Sequence, residues 1–284
     1  MKKSINYLLL ICFLITPLFL NSCKKAEKRP IGVQLYSLRD DMQKDPTGTI
    51  EKLGKIGFDF VEGYGYEKGK LFGMAPAKFK ALLEKNNLTL MGSHTGANMP
   101  DSANWSKTMA WWDTCIADHK AAGAKYLIQT FIDSTSYLSL ENLKKQCEYF
   151  NAVGEKCKAA GLMFGYHNEN TEFIKVEGQI VLDYMIRNVD STKVFFQLDV
   201  WNMTDARQNP VEYIKKFPRK FMIWHVKDQK ELGGSGLVDF KALFENADLS
   251  GVKYYVVEQE DYTTTPFEGV KKDFDFMKNS PFVK

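Results

Sequence analysis

The run LMFGYHNENTEF, residues 162–173, opens as an apolar stretch fit for a buried strand and closes on His167, Glu169 and Glu172. Imidazole and carboxylate hold metals and move protons, but only with partners from elsewhere in the chain. Candidate partners close other short β-rich runs: Glu62 in FDFVEG, His94 in LTLMGSH, Asp199 in KVFFQLDV, His225 in KFMIWHV and Glu258 in VKYYVVEQ. Of the four histidines, only His119 lies away from such an end. Alternate residues of a strand share a face, so His167 goes with Glu169, Gln197 with Asp199 and Trp201, His225 with Lys227, and Glu258 with Glu260. Carboxylates and imidazoles brought together in one mouth repel one another and lose hydration unless a cation neutralises them. One divalent metal resolves this. Oxygen and nitrogen ligands without thiolate suit Mn²⁺, Mg²⁺, Co²⁺ or Zn²⁺ without choosing among them.

These ends need a scaffold that converges them. Strand-like runs start at residues 31, 58, 88, 124, 162, 193, 220 and 252, and helical patterns such as PAKFKALLEKN and LKKQCEYFNAVGEKCKAAG lie between them. Eight βα units of this spacing predict a single (β/α)₈ TIM barrel over residues 31–284, whose site lies at the carboxyl ends of the strands. The rival, an open doubly wound sheet, usually carries a Gly-rich phosphate loop after its first strand. Here that strand leads into SLRDDMQKDPTG, with neither a GxGxxG nor a Walker pattern.

Residues 1–22, with Lys2 and Lys3 ahead of an apolar stretch interrupted by Pro17, have the pattern of a secretory signal rather than a membrane-spanning helix. The ending LNSC resembles a bacterial lipobox, which implies a lipid on Cys23, followed by a polar tether over residues 23–30. The expected location is the cell envelope, facing the periplasm, with the membrane reached through the Cys23 lipid alone. Of the remaining cysteines, Cys147 and Cys157 share a helical segment about 15 Å apart, too far for a bridge within it. The formal charge of +3 falls to about +1 once Lys2 and Lys3 leave, which gives little of the field that nucleic-acid binding uses.

As a set, IGVQLYSLRD, FDFVEGYG, GSH, GYHNEN, QLDVWN, WHVKD and VVEQEDY resemble the strand ends of the xylose isomerase-like barrels, a family of sugar isomerases, tagatose-type 3-epimerases and inosose dehydratases. The likeness is to a secreted, lipoprotein-type branch. It implies one divalent metal held by Glu169, Asp199, His225 and Glu258. Many relatives carry YHNH where this chain reads YHNE, which leaves His167 as the alternative ligand at the fifth strand. With Glu169 as ligand, His167 is the neighbouring acid or base.

Chemistry of this kind removes a proton next to a carbonyl through an enediolate. The candidate bases are His167, Glu258 and Glu172, while His94 and Lys227 are placed to polarise an oxygen or protonate a leaving group. Tyr36, Glu62, Trp201 and Glu260 are the expected substrate contacts, with Trp201 as the sugar platform. The resemblance implies lyase or hydratase action on 3-keto-glycosides. Isomerisation or 3-epimerisation of free ketoses, and a non-catalytic carbohydrate-binding lipoprotein, are the alternatives. A metal-dependent endonuclease on the same barrel would need more ligands and a basic groove. The expected partner is a small sugar or keto-glycoside and not nucleic acid, and the oligomeric state stays open.

Overall fold

The computed structural model describes residues 28–283. The leader, Cys23 and the tether up to residue 27 lie outside the described residues. Eight strands form the barrel: β1 (Ile31–Gln34), β2 (Phe60–Gly63), β3 (Leu90–His94), β4 (Tyr126–Gln129), β5 (Met163–His167), β6 (Val194–Asp199), β7 (Phe221–Val226) and β8 (Tyr254–Val257). All are parallel, and β1 pairs with both β2 and β8, which closes the sheet. The expected (β/α)₈ barrel is therefore the fold.

The strands are apolar because both faces are covered, the inner by the barrel's filling and the outer by helices. Long helices such as Trp105–Ala121, Leu140–Ala159 and Pro266–Asn279 supply that outer layer. The last begins with Thr265 and Glu268 in a reciprocal capping box and Pro266 in its first turn, so its free N–H groups are satisfied where it starts. Inside the barrel, Phe60, Tyr126, Ile128, Ile223 and Val256 form a separate apolar plug below the site. Gly92 makes room for it: a Cβ there would stand 1.8 Å from the Tyr126 ring.

Each predicted strand is present, most of them shorter than their sequence runs. Leu35 and Tyr36, for example, leave β1 for a 3₁₀ turn, Leu35–Leu38. Two small hairpins, Tyr66–Glu67 with Lys70–Leu71 and Lys175–Val176 with Gln179–Ile180, decorate the mouth and were not anticipated, since two-residue strands leave no periodicity to read. Cys115, Cys147 and Cys157 are buried and free. No helix among the described residues is long and apolar enough to cross a membrane.

Candidate functional site

Parallel register sets the site. Asp199 at the end of β6 stands beside His225 of β7, Gln197 beside His167 of β5, and Gln34 of β1 beside Glu62 of β2. Because β6 ends at Asp199, its carboxylate also caps the following helix, Val200–Asp205. Oδ1 accepts from the Asn202 N–H at 2.7 Å. Oδ2 is left buried without a hydrogen-bond partner.

Around that orphan oxygen stand His167 Nε2 at 3.6 Å, Lys227 Nζ at 3.7 Å and His225 Nδ1 at 4.0 Å. Glu258 Oε2 approaches His225 Nδ1 at 3.1 Å and Lys227 Nζ at 3.2 Å. One ligand atom each from Asp199, His225 and Glu258 lies within 4.8 Å of the other two, as do the ring nitrogens of His94, His167 and His225. A buried anionic oxygen lacking a donor, flanked by a second carboxylate and imidazoles, fits a divalent cation.

The imidazoles are held from below. Glu62 is fully buried, and its Oε1 lies 2.6 Å from His225 Nε2, 2.9 Å from His94 Nε2 and 2.9 Å from the Gln34 amide nitrogen. Its Oε2 accepts from Gln197 Nε2. Burial alone would raise the Glu62 carboxyl, but His94 and His225 hold it well below the usual range. With its amide oriented by Glu62, Gln197 offers Oε1 to both His167 Nδ1 and His94 Nε2 at 2.9 Å. His167 thus donates from Nδ1 and keeps the lone pair of Nε2 for the Asp199 side. Burial, with His225 and His94 beside it, holds His167 well below its ordinary value and therefore neutral. For His225 burial works downward, yet Glu258 and Glu62 outweigh it and raise the imidazole to about 10.

Lys227 is held protonated: burial opposes the charge, but Glu258, Asp199 and Glu260 outweigh it. That is unsuited to Schiff-base chemistry. Glu169 occupies the pocket wall, with Oε2 accepting from the Asn202 side chain at 2.7 Å and Oε1 3.7 Å from His167 Nε2. Burial first, then the Asp199 carboxylate, pushes Glu169 up to about 8.

Above the cluster opens a cavity of about 340 Å³, bordered by Tyr36, Tyr64, Thr130, Asn202 and Glu260 together with His94, His167, Glu169, Lys227 and Glu258. Three expected residues take other places. Glu62 lies beneath the cavity floor with both oxygens committed, so it is not set to touch a substrate. Trp201 sits in the first turn of the Val200–Asp205 helix, and its neighbour Asn202 borders the cavity instead. Glu172 is buried, with Oε1 taken by Tyr137, Tyr166 and Thr171 and Oε2 by the Glu169 N–H. It anchors the loop that carries Glu169. Gln197 and Gln34 were not predicted as site residues; the sequence signals were an amide inside an apolar strand and, for Gln197, the strand face it shares with Asp199.

A family described as "Xylose isomerase-like TIM barrel" matches residues 50–280. A crystal structure of a sugar phosphate isomerase/epimerase from Parabacteroides distasonis shares 32% identity, covers 90% of this chain and 100% of its own, and superposes with a TM-score of 0.84. A solved IOLI protein with a bound zinc atom shares the fold at 13% identity and a TM-score of 0.68, over 87% of this chain and 95% of that one. Inosose dehydratase of Clostridium beijerinckii is 20% identical over 168 residues, 50% of this chain and 56% of that protein, so the chain spans little more than half the length of that curated relative.

Proposed function

The chain belongs to the xylose isomerase-like TIM barrel family, and from that premise we propose a divalent-metal-dependent sugar enzyme that removes a proton beside a carbonyl. The observation that carries the proposal is the unpartnered Asp199 Oδ2 among His225, Glu258 and His167 at the floor of a polar cavity. Asp199, His225, Glu258 and His167 would hold the metal, whose contribution is Lewis-acid stabilisation of negative charge on the substrate's oxygens. The Gln197-oriented lone pair on His167 Nε2 supports placing His167 among the ligands, and the exposure of Glu169 to the cavity supports giving it the proton-transfer role. This exchanges the two roles expected from the sequence.

The other steps fall to the chain's own groups. Glu258, held ionised by Lys227 and His225 against the effect of burial, accepts the proton from the carbon beside the ketone. The electron pair of that C–H bond moves onto the ketone oxygen, and the fixed Lys227 cation compensates the charge that develops. In a 3-keto-glycoside, return of that pair forms a C1–C2 double bond and breaks the bond to the C1 substituent. Glu169, facing the cavity with its carboxyl raised by burial, is placed to give the departing oxygen its proton. That ready acid is what supports elimination, followed by hydration, over simple proton return. Isomerisation or epimerisation is the second reading, favoured by the description of the Parabacteroides relative as a sugar phosphate isomerase/epimerase, with a free ketose as the substrate proposed for this chain.

Among the residues bordering the cavity Lys227 is the sole lysine or arginine, set against Glu169, Glu258 and Glu260. A mouth with no cluster of lysine or arginine offers little to hold a phosphate, which supports a neutral sugar or glycoside. The leader adds the location: a lipid on Cys23 would hold the enzyme in the cell envelope, facing the periplasm.

Proton NMR in D₂O with a 3-keto-glucoside, with and without chelator, tests the reaction. Metal-dependent exchange at C2 with loss of the C1 substituent is the expected result. Exchange without loss would make the protein an isomerase or epimerase. No exchange with the keto-glucoside or with free ketoses would leave a binding lipoprotein.

A further inference from the structure

At the end of the barrel opposite the mouth, Lys125, Lys193, Lys220 and Lys253 each stand immediately before the first residue of a barrel strand. None of the four belongs to a helix, so compensation of helix carboxyl ends, the ordinary reason for lysine at this end of a barrel, does not place them there. Arg219 adds to them. Of the acidic residues beside them, Glu155 and Asp190 pair with Lys193, Asp248 pairs with Arg29, and Asp59 accepts from the Ile31 N–H, which leaves Lys193 neutralised and the other cations clear of carboxylates. Among the described residues no carboxylate comes within ion-pair distance of Lys125, Arg219, Lys220 or Lys253.

Between the entries of β6, β7 and β8 this face is hollowed into a cavity of about 430 Å³. Arg219, Lys220 and Lys253 border it, with the half-buried Phe195 and Met222 also in its wall. Cations around a partly apolar hollow suit a group with phosphate above and hydrocarbon below. The chain also enters here: Arg29 Nε donates to Val252 O at 2.9 Å, which fixes the start of the described chain against the segment that precedes β8. Residues 24–30 between Cys23 and β1 span at most about 25 Å when fully extended.

We propose that the strand-entry face of the barrel docks on an anionic phospholipid surface, with Arg219, Lys220 and Lys253 meeting lipid phosphates and the catalytic mouth turned away from the membrane. The proposal rests on the lipid anchor at Cys23 proposed above. A lipid there confines this face to the headgroup region, where basic residues are attracted to anionic lipid over roughly a Debye length. With the strand-entry face on the membrane, the mouth at the other end of the barrel stays open to substrate.

The test uses the full protein isolated from membranes and placed in phosphatidylethanolamine nanodiscs with or without phosphatidylglycerol. The mass of the Cys23 peptide is measured first. Amide hydrogen exchange is then followed in segments 189–195, 217–222 and 251–254. On anionic discs exchange there should slow by about fivefold or more. The slowing should vanish in high salt and in an Arg219→Gln, Lys220→Gln, Lys253→Gln variant whose turnover is unchanged. Equal exchange on both discs by an acylated protein overturns the docking while leaving the anchor intact. An unacylated Cys23 overturns the anchor. In that case the chain is mixed with free anionic vesicles: salt-sensitive association lost in the triple variant supports the face, and none overturns it. Protection of these segments by duplex DNA and not by lipid would mark a nucleic-acid surface and overturn it as well.

Discussion

Glu62 Oε1 lies 2.6 Å from His225 Nε2, a contact between β2 and β7 across 163 residues of chain. With Nε2–H donated to Glu62, it is Nδ1 of His225 that faces Asp199 and Glu258, and a metal bound there would displace the Nδ1 proton that Glu258 otherwise holds. Glu62→Gln should weaken metal affinity by about 10–100-fold and leave the KM for substrate, at saturating metal, nearly unchanged. Isothermal titration with Mn²⁺ or Zn²⁺ reads the first quantity and steady-state kinetics the second. Unaltered metal affinity with a raised KM would return Glu62 to the role of substrate contact.

Asp199→Asn and His225→Gln remove groups from the centre of the cluster. Each should cost at least about a thousandfold in kcat with loss of bound metal and an unchanged circular dichroism spectrum. Asp199 also caps the Val200–Asp205 helix through Oδ1, and Asn keeps that acceptor, so the loss should not be one of folding. Full activity in either variant without metal would remove the metal from the mechanism.

The barrel was legible because its strands, buried on both faces, read as unbroken apolar runs that switch to ionisable residues where they reach the mouth. Asp199, His225 and Glu258 could be picked out for the same reason: each lies at or within one residue of the end of such a run. What lies beneath them was not legible. The contacts of Glu62 with His225 and Gln197 join strands more than a hundred residues apart, and no local pattern marks which polar end points into a cavity and which supports another side chain. Trp201 shows the limit of strand alternation, because the chain turns helical at Val200 and the period of two stops with it. Glu172 falls in a short 3₁₀ turn, Thr171–Phe173, whose hydroxyl partners no spacing rule predicts.

Asp273 makes stability depend on pH away from the site. Its Oδ1 accepts from the Leu232 N–H at 2.7 Å while Oδ2 is buried without a partner, and burial pushes the carboxyl up to about 7. An unfolded Asp ionises near pH 3.9, so between roughly 4 and 7 the folded chain retains a proton that the unfolded chain releases. This group therefore costs stability progressively as pH rises through that window, and the full cost is present above it. Asp273→Asn keeps the acceptor for Leu232 without the charge. Urea denaturation should show it more stable than the parent by about 1 kcal/mol or more at pH 8 and little changed at pH 4. A variant equally or less stable at pH 8 would mean that the carboxylate has a compensating partner there.

The proposed mechanism gives metal binding to His167 and proton transfer to Glu169, and variants of the two separate these roles. His167 is neutral, buried and oriented by Gln197, and its Nε2 lies 3.6 Å from the unpartnered Asp199 oxygen. Glu169 faces the cavity and is steadied by Asn202, and burial raises its carboxyl. His167→Gln should therefore lose metal, with activity falling alongside it, while excess metal restores part of the rate. Glu169→Gln should bind metal as the parent does and lose about 10²–10⁴ in kcat, with the loss confined to substrates whose leaving group needs a proton. A keto-glycoside with a p-nitrophenol leaving group, which departs without one, should be spared. The reverse pattern, metal lost from Glu169→Gln and kept by His167→Gln, would put Glu169 in the ligand set and make His167 the proton-transfer group.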